Sequence, residues 1–201
     1  MRPGVSRKYV TFLVIALAVI SLDQWTKYLV VRDLTHRFDG RESLGERLAA
    51  FYTTTPPGPW GLHFTPGKPF VISEDFLMLR YAENPGAAWG LFRSVPENIR
   101  GPLFHVVSLG AVVLITFYFS KLSGRDKAER WAYFGLPLVL GGALGNYTDR
   151  LARGFVVDYV EAHWRQWATW PSFNVADAAI CVGVGMLVID AFVRRERPLP
   201  P

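Results

Sequence analysis

Four long apolar runs are separated by polar stretches of very unequal length. They cover Tyr9–Val31, Pro102–Ser120, Trp131–Thr148 and Phe173–Val193. Each approaches the roughly 20 mostly apolar residues that a helix needs to cross a bilayer. The pattern therefore predicts an all-α integral membrane protein, one domain over residues 1–201, with four transmembrane helices at about 9–31, 102–120, 131–149 and 173–193. The first run follows Arg2, Arg7 and Lys8, as in a secretory signal. However, Ser21-Leu22-Asp23-Gln24-Trp25 is not small-residue cleavage chemistry, so the helix is expected to be retained.

The intervening polar stretches carry their own pattern. Thr53–Trp60 (TTTPPGPW) is turn-rich and expected to be mobile. Pro69–Ser73 and Phe76–Tyr81 have imperfect alternation that suits short strands, giving a small β-containing element. No internal repeat is evident.

Composition supports the membrane reading. Half of the 201 residues are hydrophobic and 19% are charged, against about 25% charged in a soluble domain. The net charge of +5 does not indicate nucleic acid, because Lys and Arg gather at the ends of apolar runs and form no basic face. The single cysteine, Cys181, excludes an intrachain disulfide and reads as a small buried hydrophobe.

Charge also sets an orientation. Arg2, Arg7 and Lys8 precede the first run; Lys121, Arg125, Lys127 and Arg130 link the second and third; Arg194, Arg195 and Arg197 follow the fourth. With four spans these flanks share one side, and clustered Lys and Arg mark the cytoplasmic side. Both termini are then cytoplasmic. Segment 32–101 and the shorter Arg150–Ser172 are extracytoplasmic, and their Trp, Tyr and Phe suit an interfacial belt.

Ionisable groups within spans are costly unless paired or hydrated, which makes them functional candidates. Asp23 and Lys27 are four residues apart and read as a structural ion pair. Asp190 with Arg194 has the same spacing, and His105 reads as an interfacial residue. The third helix ends in Asn146, Asp149 and Arg150, a short turn delivers Asp158, and the fourth helix opens with Asn174 and Asp177. Antiparallel neighbours joined by a short outer loop bring these ends to one depth, with Asp158 carried on a loop dipping back among them.

Two carboxylates a few ångströms apart share a proton near neutral pH. Aspartic proteases use that arrangement: the ionised member activates water and the protonated member polarises the scissile carbonyl. Asn146, Asn174 and Arg150 would steady the pair or the substrate. The same aspartates also suit helix capping and charge balance, and the residues alone leave both readings open. A carboxylate-lined transporter and a non-catalytic scaffold are further alternatives, although four spans without an inverted repeat make poor transporter architecture.

Five blocks in order resemble the lipoprotein signal peptidases, or signal peptidase II: Asp23-Gln24-Trp25-Thr26-Lys27, Asn84-Pro85-Gly86-Ala87-Ala88-Trp89-Gly90, Gly142-Ala143-Leu144-Gly145-Asn146 with Asp149-Arg150, Gly154-Phe155-Val156-Val157-Asp158, and Phe173-Asn174-Val175-Ala176-Asp177. The resemblance implies a bacterial inner-membrane aspartic endopeptidase. Such an enzyme removes the signal peptide from prolipoproteins bearing a diacylglyceryl-cysteine, cutting just before that cysteine. It places the catalytic pair on Asp158 and Asp177, and supporting roles on Asp23, Lys27, Asn84, Gly86, Asn146, Arg150 and Asn174. It implies no metal or organic cofactor, a monomer in membrane lipid, and a cleft that globomycin would occupy. The chain departs from the family pattern in the stretch Arg32–Pro69, longer than the usual link, which is expected to be a surface elaboration or a disordered spacer.

Overall fold

The computed structural model describes residues 3–58, 61–86, 91–92, 94–124, 126–165 and 167–195. Among them run helices α1 (Pro3–Leu34), α2 (Leu44–Tyr52), α3 (Glu97–Lys121), α4 (Arg130–Arg153) and α5 (Val175–Arg195), and strands β1 (Phe70–Ser73), β2 (Leu77–Asn84), β3 (Val156–Trp164) and β4 (Ala168–Thr169). Three helical stretches are long and apolar enough to cross a membrane: Arg7–Leu34, Glu97–Lys121 and Val175–Val193. Helix α4 is not among them, and its last turns carry Asn146, Asp149, Arg150 and Arg153. The protein is thus mostly helical, but it is not all-α, because a four-stranded sheet accompanies the helices.

The chain divides into two compact units. The first comprises α1 through Leu22, His105–Gly145, and the residues from Val175 onward. Its helices meet through an apolar cluster that includes Phe12, Ala16, Phe119, Ala132 and Leu136. Small residues let backbones approach, as is usual between membrane helices. A Cβ on Gly142 would run into the Ala176 carbonyl, and one on Gly183 would lie 2.7 Å from the Gly135 carbonyl oxygen. The buried Lys8 donates to the carbonyls of Ser120 (3.1 Å) and Leu122 (2.5 Å) at the end of α3, where a cation suits the helix dipole. At the start of α4 the amide of Ala132 donates to the buried Asp190 (3.2 Å). The side chain of Arg194, expected beside Asp190, lies outside the described residues. Cys181 is exposed, not buried; it belongs to the outward apolar surface that includes Val182, Val188 and Phe192.

The second unit comprises Asp23–Phe104 and Asn146–Asn174. Its sheet has the order β1-β2-β3-β4 with every neighbour antiparallel. The expected strand pair is present, but the second strand continues to Asn84 and pairs with a third strand where a dipping loop was expected. Val156–Tyr159 are all buried, so β3 lacks the polar-apolar alternation that marks a half-exposed strand. Over its described residues the insert is also built into the unit. Ser43 and Glu46 form a reciprocal capping box that starts α2, and Phe38, Phe51 and Phe64 enter one core with Val31, Tyr81 and Phe155. The turn-rich stretch Thr53–Trp60 has no regular structure over 53–58, yet Thr54 and Thr55 donate to the carbonyls of Arg153 (2.9 Å) and His63 (2.8 Å). Pro59 and Trp60 lie outside the described residues.

Candidate active site

The expected catalytic and supporting residues, Asp177 apart, fall in the second unit and form a connected network; His105, Cys181 and Asp190 belong to the first. Asp23 and Lys27 are one turn apart on α1, and their side chains are wholly buried. Lys27 Nζ donates to Asp23 Oδ2 (2.8 Å) and Asn146 Oδ1 (3.0 Å) and lies 2.9 Å from Asp149 Oδ2. The expected local ion pair is therefore one edge of a larger cluster. Asp149 also pairs with Arg153, equally buried and one turn further along α4. Gln24 Nε2 donates to Asp149 Oδ1 (2.8 Å), and the Val157 amide donates to Asp149 Oδ2 (3.1 Å). Two carboxylates thus meet two cations inside the protein. Such pairing offsets much of the large desolvation cost of buried charges.

From this cluster the network passes through amides to Asp158. Asn146 Oδ1 accepts from Asn174 Nδ2 (3.2 Å), and the same nitrogen donates to Asp158 Oδ1 (2.7 Å) and to the Val157 carbonyl (3.3 Å). Asn84, near the end of β2, donates through Nδ2 to Asp158 Oδ2 (3.0 Å) and accepts from the Gly86 amide through Oδ1 (3.0 Å). Each oxygen of the Asp158 carboxylate is therefore held by an amide donor, which fixes its plane. Sheet register explains the Asn84 contact: Ala82 pairs with Asp158 and Asn84 with Val156 on neighbouring antiparallel strands. Asp158 is only 3% exposed. Tyr159 ties the same strand to α1 through a bond from its hydroxyl to Thr26 (2.8 Å).

Arg150 lies apart from the buried ion cluster. Its Nη2 donates to the Gly86 carbonyl (2.7 Å), and its guanidinium sits 4.4 Å from the Phe104 ring centroid. It thereby fastens the Asn84-Pro85-Gly86 turn to α4; Ala87–Gly90 of that motif lie outside the described residues. A cleft of about 380 Å³ borders this arginine, with Pro85, Glu97, Arg100 and Phe155 in its walls. Asp177 is half-buried in the first turn of α5, three residues after Asn174. It belongs to the helical unit.

Two participants were not singled out in the sequence. Arg153 is legible only as the i+4 partner of Asp149. Glu83 accepts from the amides of His63 (2.8 Å) and Phe64 (2.9 Å), from Tyr81 Oη (2.7 Å), and lies 2.7 Å from His63 Nδ1. Burial, reinforced by the adjacent Glu83 carboxylate, holds the Tyr81 phenol well above the ordinary tyrosine range. Among the described residues no group of three or more His, Cys, Asp or Glu is arranged to hold a metal ion.

The family profile described as signal peptidase (SPase) II matches residues 15–193. A lipoprotein signal peptidase from an Anaeromyxobacter species is 43% identical over 186 residues, spanning 90% of this chain and 84% of that one. One from Halalkalibacterium halodurans is 33% identical over 186 residues, spanning 92% and 94%. A solved structure described as a bacterial membrane enzyme covers 94% of each chain with a TM-score of 0.64 at 22% identity, a likeness of fold. The profile spans nearly the whole chain and the relatives align along most of its length, so the chain belongs to the signal peptidase II family of aspartic peptidases, the lipoprotein signal peptidases.

Proposed function

We propose that this signal peptidase cleaves prolipoproteins whose cysteine already carries diacylglycerol, cutting just before that cysteine with Asp158 and Asp177 as the catalytic pair. The observation that carries the assignment of Asp158 is its restraint by Asn84 and Asn174 through both carboxylate oxygens. Support for Asp177 as its partner comes from the ordered sequence blocks and from its position three residues beyond Asn174, at the opening of α5. One carboxylate takes a proton from water while the other, protonated, polarises the scissile carbonyl. The tetrahedral intermediate collapses as the cysteine amine leaves with a proton from the dyad. No acyl-enzyme forms and no cofactor takes part. Substrate and membrane lipid are the partners, globomycin is the expected competitive occupant, and the enzyme acts as a monomer.

In this reading α4 is the fourth span, both termini are cytoplasmic, and the site faces the outer side of the inner membrane. The polar end of α4 is compatible with spanning because Asn146, Asp149 and Arg153 are buried in protein. The substrate's own apolar segment is a membrane helix, and its lipid chains remain in the bilayer while the peptide bond reaches the carboxylates. The test uses the purified chain and a diacylglyceryl-modified prolipoprotein, with products read by mass spectrometry. The expected product begins at the lipid-modified cysteine. Cleavage elsewhere, equal cleavage of the unmodified precursor, or ion flux into liposomes without cleavage contradicts the proposal.

A further inference from the structure

Arg153 closes α4 and is wholly buried, and its guanidinium has two working edges. Nη2 pairs with Asp149 Oδ1. Nη1 donates to the Phe51 carbonyl at 2.8 Å, while the guanidinium carbon lies 4.3 Å from the Phe51 ring centroid. Thr54, just beyond α2, donates to the Arg153 carbonyl at 2.9 Å. Arg153 therefore fastens the insert helix to the end of α4. Phe51 itself is 1% exposed and belongs to the core that also contains Phe155 and Val157.

The fastening continues toward Asp158. With Oδ1 engaged by Arg153, the Asp149 carboxylate turns Oδ2 to the Val157 amide at 3.1 Å. Val157 immediately precedes Asp158 and also offers its carbonyl to Asn174. If the Asp149 carboxylate rotates, the restraint on the backbone carrying Asp158 is lost. A planar guanidinium can serve a carboxylate with one edge and a carbonyl with the other; a lysine ammonium is a point charge and cannot hold the same fork.

We propose that Arg153 is a positioning residue of the peptidase: braced by α2, it sets the orientation of Asp149 and thereby the placement of Val157 and Asp158. The inference rests on the reading of Asp158 as catalytic. It assigns the insert a mechanical role within the enzyme and makes Arg153 the link.

The experiment uses the full chain in detergent with lipid-modified prolipoprotein, and compares the wild type with R153K, R153M and D158N. R153K keeps a cation against Asp149 but gives up the arm to Phe51. It is expected to fold, to hold KM within about twofold, and to lower kcat about tenfold. R153M lowers kcat further, toward the roughly hundredfold loss that a misplacement of about 1 Å can produce. Hydrogen exchange at the Val157 amide speeds up in both variants, a change that a loss of global stability alone would not confine to that position. Wild-type kcat in R153K, a loss entirely in KM, or unchanged Val157 exchange overturns the inference. If R153M does not fold, R153K decides alone. An inactive D158N beside a fully active R153K defeats only the positioning role, whereas an active D158N defeats the catalytic reading beneath it.

Discussion

Replacing Lys27 by methionine removes one cation from a buried cluster that otherwise holds two carboxylates and two cations. The ammonium is bound at 2.8 Å by Asp23, at 2.9 Å by Asp149 and at 3.0 Å by Asn146, and the acidic partners have no side-chain exposure. Methionine preserves most of the length and packing of the side chain but leaves two buried carboxylates with one cation, Arg153, which pairs with Asp149 and not with Asp23. Removing one member of a buried ion pair costs about 3–5 kcal/mol, which shifts the folding equilibrium by roughly two to three and a half powers of ten. The assay is reversible unfolding in mixed micelles for the wild type, D23N, K27M and the double variant. Because D23N removes the carboxylate that K27M orphans, the double variant should be more stable than the summed single losses imply, by more than about 1 kcal/mol. Stability of K27M within about 1 kcal/mol of the wild type, or strict additivity of the cycle, refutes a charge-balanced network.

Three further outcomes follow from packing and titration. Gly142→Val drives a side chain into the Ala176 carbonyl and Ile180; it should cost about 1–3 kcal/mol or more through overpacking, read as a lower midpoint of thermal unfolding in detergent. Phe51→Ala empties a site that is 1% exposed and should cost about 3–5 kcal/mol, whereas an insert that merely decorates the surface would tolerate it. The Tyr81 phenol is held up by burial and by Glu83, so its folded value exceeds its unfolded one. Its contribution to stability is complete below the ordinary value near about 10 and declines as the pH rises past it. In alkaline difference spectra, Tyr81→Phe should therefore remove a late-titrating phenol; loss of an ordinary one contradicts the assignment.

The apolar runs made the helical membrane character legible, because length and continuous hydrophobicity are local properties. Helix α4 sits at the margin of that signal, since Asn146, Asp149, Arg150 and Arg153 occupy its final turns. Strand β3 looks like a loop in the sequence because its buried residues remove the alternation; the β-branched run Val156-Val157 and Val160 is the signal that it carries. The insert hid α2, although Ser43 followed by Glu46 is a capping-box signature. At the site, Asp23 and Lys27 were legible as a pair by spacing alone. Their link to Asn146 and Asp149 crosses more than a hundred residues, and no local pattern encodes it. The support for Asp158 was obscured for the same reason: Asn84 reaches it only through the pairing of β2 with β3.

In the proposed mechanism Asp158 and Asp177 together carry out the cleavage. This joint role is tested most directly by following hydrolysis of a diacylglyceryl-modified prolipoprotein by the wild type, D158N and D177N at equal folded concentration in detergent. Each variant should retain its helical content and thermal transition while losing cleavage by about a thousandfold or more, the scale expected when a member of a cooperating catalytic set is removed. Full activity in either folded variant would contradict the dyad.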